Sequence, residues 1–127
     1  PALRVALGAP DAVLATILHV ARHAKLARAN VSAFGLDGPI VVHQGNFAKV
    51  LPRLDPGYDV AFFDGFTPTL AILKGIDRVL KTRGLLISAN LTHGGEADAY
   101  RAAIADPENW LTAFVGADGE TALSIKL

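Results

Sequence analysis

The sequence predicts an α/β domain whose sheet is mostly parallel and closes on an antiparallel C-terminal hairpin. Three observations predict it. Residues 58–65, Tyr-Asp-Val-Ala-Phe-Phe-Asp-Gly, form an apolar run too short for a comfortable helix that ends on a lone carboxylate followed by glycine. Such a run reads as a fully buried parallel strand. Runs of this kind alternate along the chain with segments of helical spacing, the pattern of strands joined by crossover helices. The last two runs, residues 110–115 and 120–127, flank Gly116-Ala117-Asp118-Gly119 and pair as a hairpin. Ligands of open α/β sheets meet the carboxyl ends of the strands, so Asp64 stands where a cofactor or substrate would be met.

The elements follow in order. Residues 3–7, Leu-Arg-Val-Ala-Leu, before Gly8-Ala9-Pro10 read as a short strand ending in a turn. Residues 11–20 support two readings. Asp11 could cap a long alanine-rich helix carrying Leu14, Ile17, Leu18 and Ala21 at helical spacing, or residues 13–20 could be a buried strand with the helix starting near Ala21. Residues 23–31 are helical in either case, with Leu26, Ala29 and Ala33 inward, Lys25 and Arg28 outward, and Gly35 at the C′ position. A second apolar strand, residues 40–43, stops at Gln44-Gly45-Asn46. There glycine lets a ligand approach the backbone, and asparagine offers a donor and an acceptor.

Residues 47–54 read as a short helix and Asp55-Pro56-Gly57 as a turn. After Asp64, Thr67 can cap, Pro68 suits the first helical position, and Leu70, Leu73, Ile76 and Val79 form an apolar stripe. Lys81 and Arg83 then lie near the C-terminus before Gly84. Residues 85–88 are the next buried strand, leading to Ala89-Asn90 and the loop that carries His93 and Gly94-Gly95. Residues 96–105 form a helix with Tyr100 and Ile104 inward, stopped by Asp106-Pro107.

Composition limits the possible functions. At 127 residues and 51% hydrophobic content, residues 1–127 read as a single domain with a substantial core. Lys+Arg and Asp+Glu are both 12, so net charge argues for neither a nucleic-acid nor a membrane partner. Without cysteine there is no disulfide and no thiolate nucleophile or thiolate metal site. No basic-then-apolar leader pattern opens the chain and no apolar run approaches the ~18 residues of a membrane span. The expectation is a cytoplasmic protein.

The run from His23 to Asn30, then Gly35-Leu36, Gln44-Gly45-Asn46 and Val50-Leu51-Pro52, resembles the S-adenosylmethionine-dependent O-methyltransferases of the catechol and caffeoyl-CoA type. So do residues 58–64 and 83–90 with Gly94-Gly95, and the similarity covers roughly residues 16–127 in one register. The resemblance implies a Rossmann-like methyltransferase fold, abbreviated at the N-terminus, with S-adenosylmethionine as cofactor, a small hydroxylated substrate and a homodimer. In its register residues 15–20 are the second strand, which favours strand over helix there. It carries cofactor-binding roles to Gly8, Ala9, Gly45, Asn46, Phe47 and Asp64, and catalytic roles to Asp64 and Asn90. The same pair would be the Mg²⁺ site, and His93 is added as a general base or replacement metal ligand.

Three departures accompany it. Only residues 8–11 separate the first two expected strands, where the family has a glycine-rich turn and a full helix cradling the methionine part of the cofactor. A parallel crossover needs a dozen or more residues. The family's ribose-binding acid falls on Leu18, and its adenine-side aspartate on Asn46. Its Asp-Asn metal pair reads Ala89-Asn90, which leaves Asp64 and Asn90 as a weak site for a cation that prefers octahedral oxygen ligation. The plain alternatives are a helix-capping role for Asp64, an ordinary turn at Asn90 and an exposed loop position for His93. Three classes of function stand: an active methyltransferase, an inactive relative that binds a ligand or protein, and a dimerising structural fragment.

Overall fold

The computed structural model describes residues 1–65, 68–91, 95–117 and 119–127. They divide into two compact units, Pro1–Arg53 and Leu54–Leu127. No helix among the described residues is long and apolar enough to cross a membrane.

The first unit runs α1 (Ala2–Gly8), β1 (Leu14–Leu18), α2 (Ala21–Ala33), β2 (Ile40–Gln44), α3 (Phe47–Val50) and a 3₁₀ turn (Leu51–Arg53). Strands β1 and β2 pair in parallel, Leu14 opposite Ile40 through Leu18 opposite Gln44, with α2 as the crossover. Residues 3–7 are therefore helix, not strand. Ala2, Leu3 and Ala6 fall on one helical face and pack around Val31 and Ile40 with Leu14, Leu36 and Val42, contacts a period-2 strand could not collect on one side. With no strand there, the impossible four-residue crossover disappears. Residues 11–20 take the strand reading, shortened to β1.

Helix α2 buries Ala24 and Val31, whereas Leu26, Ala29 and Ala33, expected inward, are exposed. Five alanines in thirteen residues give weak amphipathicity, so packing and not pattern chooses the face. Its end is as expected. Gly35 has φ +66, and the amides of Gly35 and Leu36 donate to the carbonyls of Ser32 and Val31 at 2.9 and 3.0 Å. These are the paired bonds of a Schellman stop, with Leu36 folded back on Val31.

The second unit runs β3 (Tyr58–Phe63), α4 (Leu70–Val79), β4 (Leu80–Ser88), α5 (Gly95–Ile104), β5 (Trp110–Val115) and β6 (Thr121–Lys126), in the sheet order β3-β4-β6-β5. β3 and β4 are parallel, while β6 runs antiparallel to both β4 and β5, closing the expected hairpin. Helix α4 starts two residues later than the Thr67 cap predicted: Thr69 is the N-cap and its Oγ1 accepts from the Ile72 amide at 3.3 Å. Thr67 itself lies outside the described residues. The helix also stops sooner, at Val79, so Lys81 and Arg83 sit in a bulged segment where β4 swings out between Leu80 and Leu85 against β3. Lys126 Nζ supports that helix end, donating to the Asp77 and Leu80 carbonyls at 2.5 and 3.1 Å and pairing with the Asp77 carboxylate. A cation on the last carbonyls of a helix is favourable by hydrogen bonding and dipole alike.

The sheet's two faces differ. One carries Ala61, Leu86, Ser124 and Thr112 in one cross-strand row and Phe63, Ser88, Ala122 and Phe114 in the next. Helix α5 lies on it, with Tyr100 and Ile104 fully buried as expected and the Tyr100 hydroxyl 2.8 Å from Ser88 Oγ. The other face carries Val60, Leu85, Ile125 and Leu111, then Phe62, Ile87, Leu123 and Ala113. Val60 and Phe62 are about half exposed, at 53% and 51%, on a strand that forms one edge of this sheet. The expectation that residues 58–65 are fully buried is corrected accordingly.

Candidate functional site

In the first unit the carboxyl ends of β1 and β2 bring Leu18, His19, Gln44, Gly45 and Asn46 together. The Gly45 amide donates to the Leu18 carbonyl at 3.0 Å, which ties the two strand ends to each other. Gly45 has φ +151, and a Cβ there would come within 3.0 Å of Val50 Cγ2, so glycine is required by conformation and by space. Asn46 caps α3: its Oδ1 accepts from the Ala48 amide at 2.9 Å. The acceptor half of this side chain is committed to the fold, and Nδ2 is the part that faces solvent chemistry. Phe47 opens α3 and is half-buried. Leu18 offers no hydrogen bond from its side chain, but the next residue, His19, and the neighbouring strand end, Gln44, are exposed polar groups at the same end. The strand expected over residues 13–20 would enclose His19, whereas β1 ends one residue before it. The strand's true end at Leu18 is the missing signal.

Gly8 and Ala9 do not follow a strand. Gly8 is the last residue of α1 and Ala9 its C-cap, and a Cβ on Gly8 would meet nothing within 4 Å. The premise on which both were assigned to the cofactor, a turn closing a first strand, is lost.

In the second unit the carboxyl ends of β3 and β4 bring Asp64 and Asn90 together. Asn90 Nδ2 donates to Asp64 Oδ1 at 2.9 Å and to the Gly65 carbonyl at 3.2 Å. Two acceptors on one side set the amide orientation, because the flipped amide would turn its oxygen onto both. Asn90 has φ 61, a left-handed conformation that asparagine tolerates better than most residues. Asp64 is exposed, and Asn90 is its hydrogen-bond partner rather than a parallel ligand. Ala89 contributes its backbone, donating to the Phe63 carbonyl at 2.9 Å. His93, the third residue expected here, lies outside the described residues.

The arrangement does not suit a divalent cation. Among the described residues no group of three or more His, Asp or Glu side chains gathers as a metal site. Asp64 and Asn90 meet donor to acceptor, so an N–H group occupies the side of the carboxylate that the cation and a second oxygen ligand would share.

A cavity of about 290 Å³ lies elsewhere in this unit, lined by Leu70, Leu73 and Lys74 of α4 together with Asp106, Asn109 and Trp110. The carboxylates that line it, Asp77 and Asp106, are engaged within the fold. Asp77 pairs with Lys126, and Asp106 accepts from the Glu108 amide and from Asn109 Nδ2. Trp110 is buried.

No protein-family model matches the chain, and no curated protein matches it. Solved structures do. A caffeoyl-CoA O-methyltransferase candidate from Staphylococcus aureus aligns over 99% of this chain and 70% of its own, with TM-score 0.87 and 19% identity. An S-adenosylhomocysteine-bound methyltransferase from Podospora anserina aligns over 98% and 65%, with TM-score 0.84 and 15% identity. An O-methyltransferase from Bacillus cereus, also in complex with S-adenosylhomocysteine, aligns over 91% and 63%, with TM-score 0.72 and 17% identity. The chain thus spans under two thirds of the last two. Its fold is the Rossmann-like methyltransferase fold, as the residue pattern implied.

Proposed function

We propose that the chain belongs to a cytoplasmic S-adenosylmethionine-dependent O-methyltransferase acting on a small hydroxylated acceptor. The observation that carries this reading is the alignment of nearly the whole chain onto methyltransferases, two of them holding S-adenosylhomocysteine. The residues at the carboxyl ends of β1 and β2 suit the adenosine half of that cofactor. Asn46 Nδ2 can donate to an adenine ring nitrogen while Oδ1 stays on α3, and His19 and Gln44 can bond the ribose hydroxyls in place of the acid that Leu18 replaces. When bound, S-adenosylmethionine supplies a methyl group on a sulfonium. Asp64 accepts a hydrogen bond from the acceptor's hydroxyl and so fixes the oxygen that is to be methylated. A homodimer, implied by the same resemblance, is supported by the apolar sheet face of the second unit, which a second copy would cover.

Incubation with methyl-labelled cofactor and a panel of phenols and alcohols tests the reading, label in an acceptor being the expected result. A specific observation favours a second reading: Leu18 and Ala89 stand where the family places carboxylates. Cofactor binding without transfer to any acceptor would select that inactive, ligand-binding alternative.

A further inference from the structure

We infer that Asp64 and Asn90 form a metal-free hydroxyl-recognition pair, in which the asparagine amide does the work a divalent cation would otherwise do in holding the carboxylate. Three features carry this. The Asn90 amide hydrogens lie on Asp64 Oδ1 and on the Gly65 carbonyl at 2.9 and 3.2 Å, which leaves Asp64 Oδ2 without a hydrogen-bond partner among the described residues. The left-handed backbone of Asn90 directs the side chain back across the ends of β3 and β4. Ala89 removes the second carboxylate that a doubly charged ion needs beside the first.

The consequence concerns the substrate, and in that respect it rests on the methyltransferase reading. Chelation by two adjacent oxygens is an advantage only on a metal. A lone carboxylate oxygen held by an amide recognises a single O–H donor. The acceptor class is therefore a compound presenting one hydroxyl, with no preference for adjacent hydroxyl pairs.

The test uses the whole chain labelled with ¹⁵N. Addition of Mn²⁺ up to about 1 mM is expected to broaden the Asn90 side-chain amide and the Gly65 amide no more than those beside the exposed Asp59. Selective broadening at Asn90 and Gly65 at tens of micromolar Mn²⁺ would overturn the inference. Asp64→Ala is expected to move the Asn90 side-chain amide to the shift and exchange rate of an exposed asparagine. An unchanged Asn90 signal in that variant would show that the pair does not exist in solution. Neither readout involves cofactor, so failure here is distinct from failure of the methyltransferase reading.

Discussion

On the face of the four-stranded sheet beneath α5, Ser88 and Ser124 are fully buried, whereas the opposite face sets two rows of purely apolar residues partly against solvent. Burial alone would have arranged these the other way. The covered face accommodates polar atoms because each has a partner: Ser88 bonds Tyr100, Thr112 donates to the Ile104 carbonyl, and Thr112 lies 2.8 Å from Ser124. Among the described residues no buried side-chain polar atom is left unsatisfied. The apolar face has no such internal logic. Eight residues spanning four strands, roughly 19 Å across, are more than the scattered surface leucines of an ordinary monomer. The comparison teaches that α5 is a finished interface and the opposite face an unfinished one.

Truncation on the finished side should cost most. Leu86→Ala, at a fully buried position, is expected to lower unfolding free energy by about 2–5 kcal/mol in denaturant titrations. Next comes Tyr100→Phe, which strands the Ser88 hydroxyl and should cost about 1–3 kcal/mol; adding Ser88→Ala should recover much of it, because removing both partners is far milder than removing one. A loss in the double variant equal to the sum of the singles would break the account of that pair.

The same tyrosine sharpens the comparison through pH. Burial raises its pKa above the ordinary 10.0, the Ser88 bond opposing this more weakly. The folded state then holds the proton more tightly than the unfolded state. The associated stability is fully present below pH 10 and falls as pH rises past it. Stability measured against pH should lose that alkaline slope in Tyr100→Phe.

Smaller still is Thr69→Ala, which removes the α4 cap at a cost of about 1 kcal/mol. Smallest is Leu111→Ala on the bare face, 66% exposed, expected within about 0.5 kcal/mol in dilute solution. If a second copy covers this face, the Leu111→Ala loss should grow with protein concentration.

Much of this fold was legible because strong local signals agreed with the tertiary structure. The β3 run, the inward Tyr100 and Ile104 of α5 and the closing hairpin all combine a clear period with clear stops. Residues 3–7 misled because five residues of mixed apolar character satisfy either period, and only contact with Val31 and Ile40 selects helix. The face of α2 misled because alanine is compatible with both sides. At the site, Asp64 and Asn90 were legible as strand-end polar residues, but their mutual hydrogen bond was not, since sequence carries no side-chain direction. His19 was read as lying inside β1 through a strand boundary placed two residues too late.

The central claim is that this chain is built to bind the adenosine cofactor of a methyltransferase without help from a metal. Calorimetric titration with S-adenosylmethionine and S-adenosylhomocysteine, in EDTA and then in Mg²⁺, tests it most directly. The account predicts binding tighter than about 100 μM, near −5.5 kcal/mol, with the same affinity in both buffers. No binding at millimolar ligand would contradict the cofactor claim, and binding that appears only with Mg²⁺ would contradict the metal-free pair.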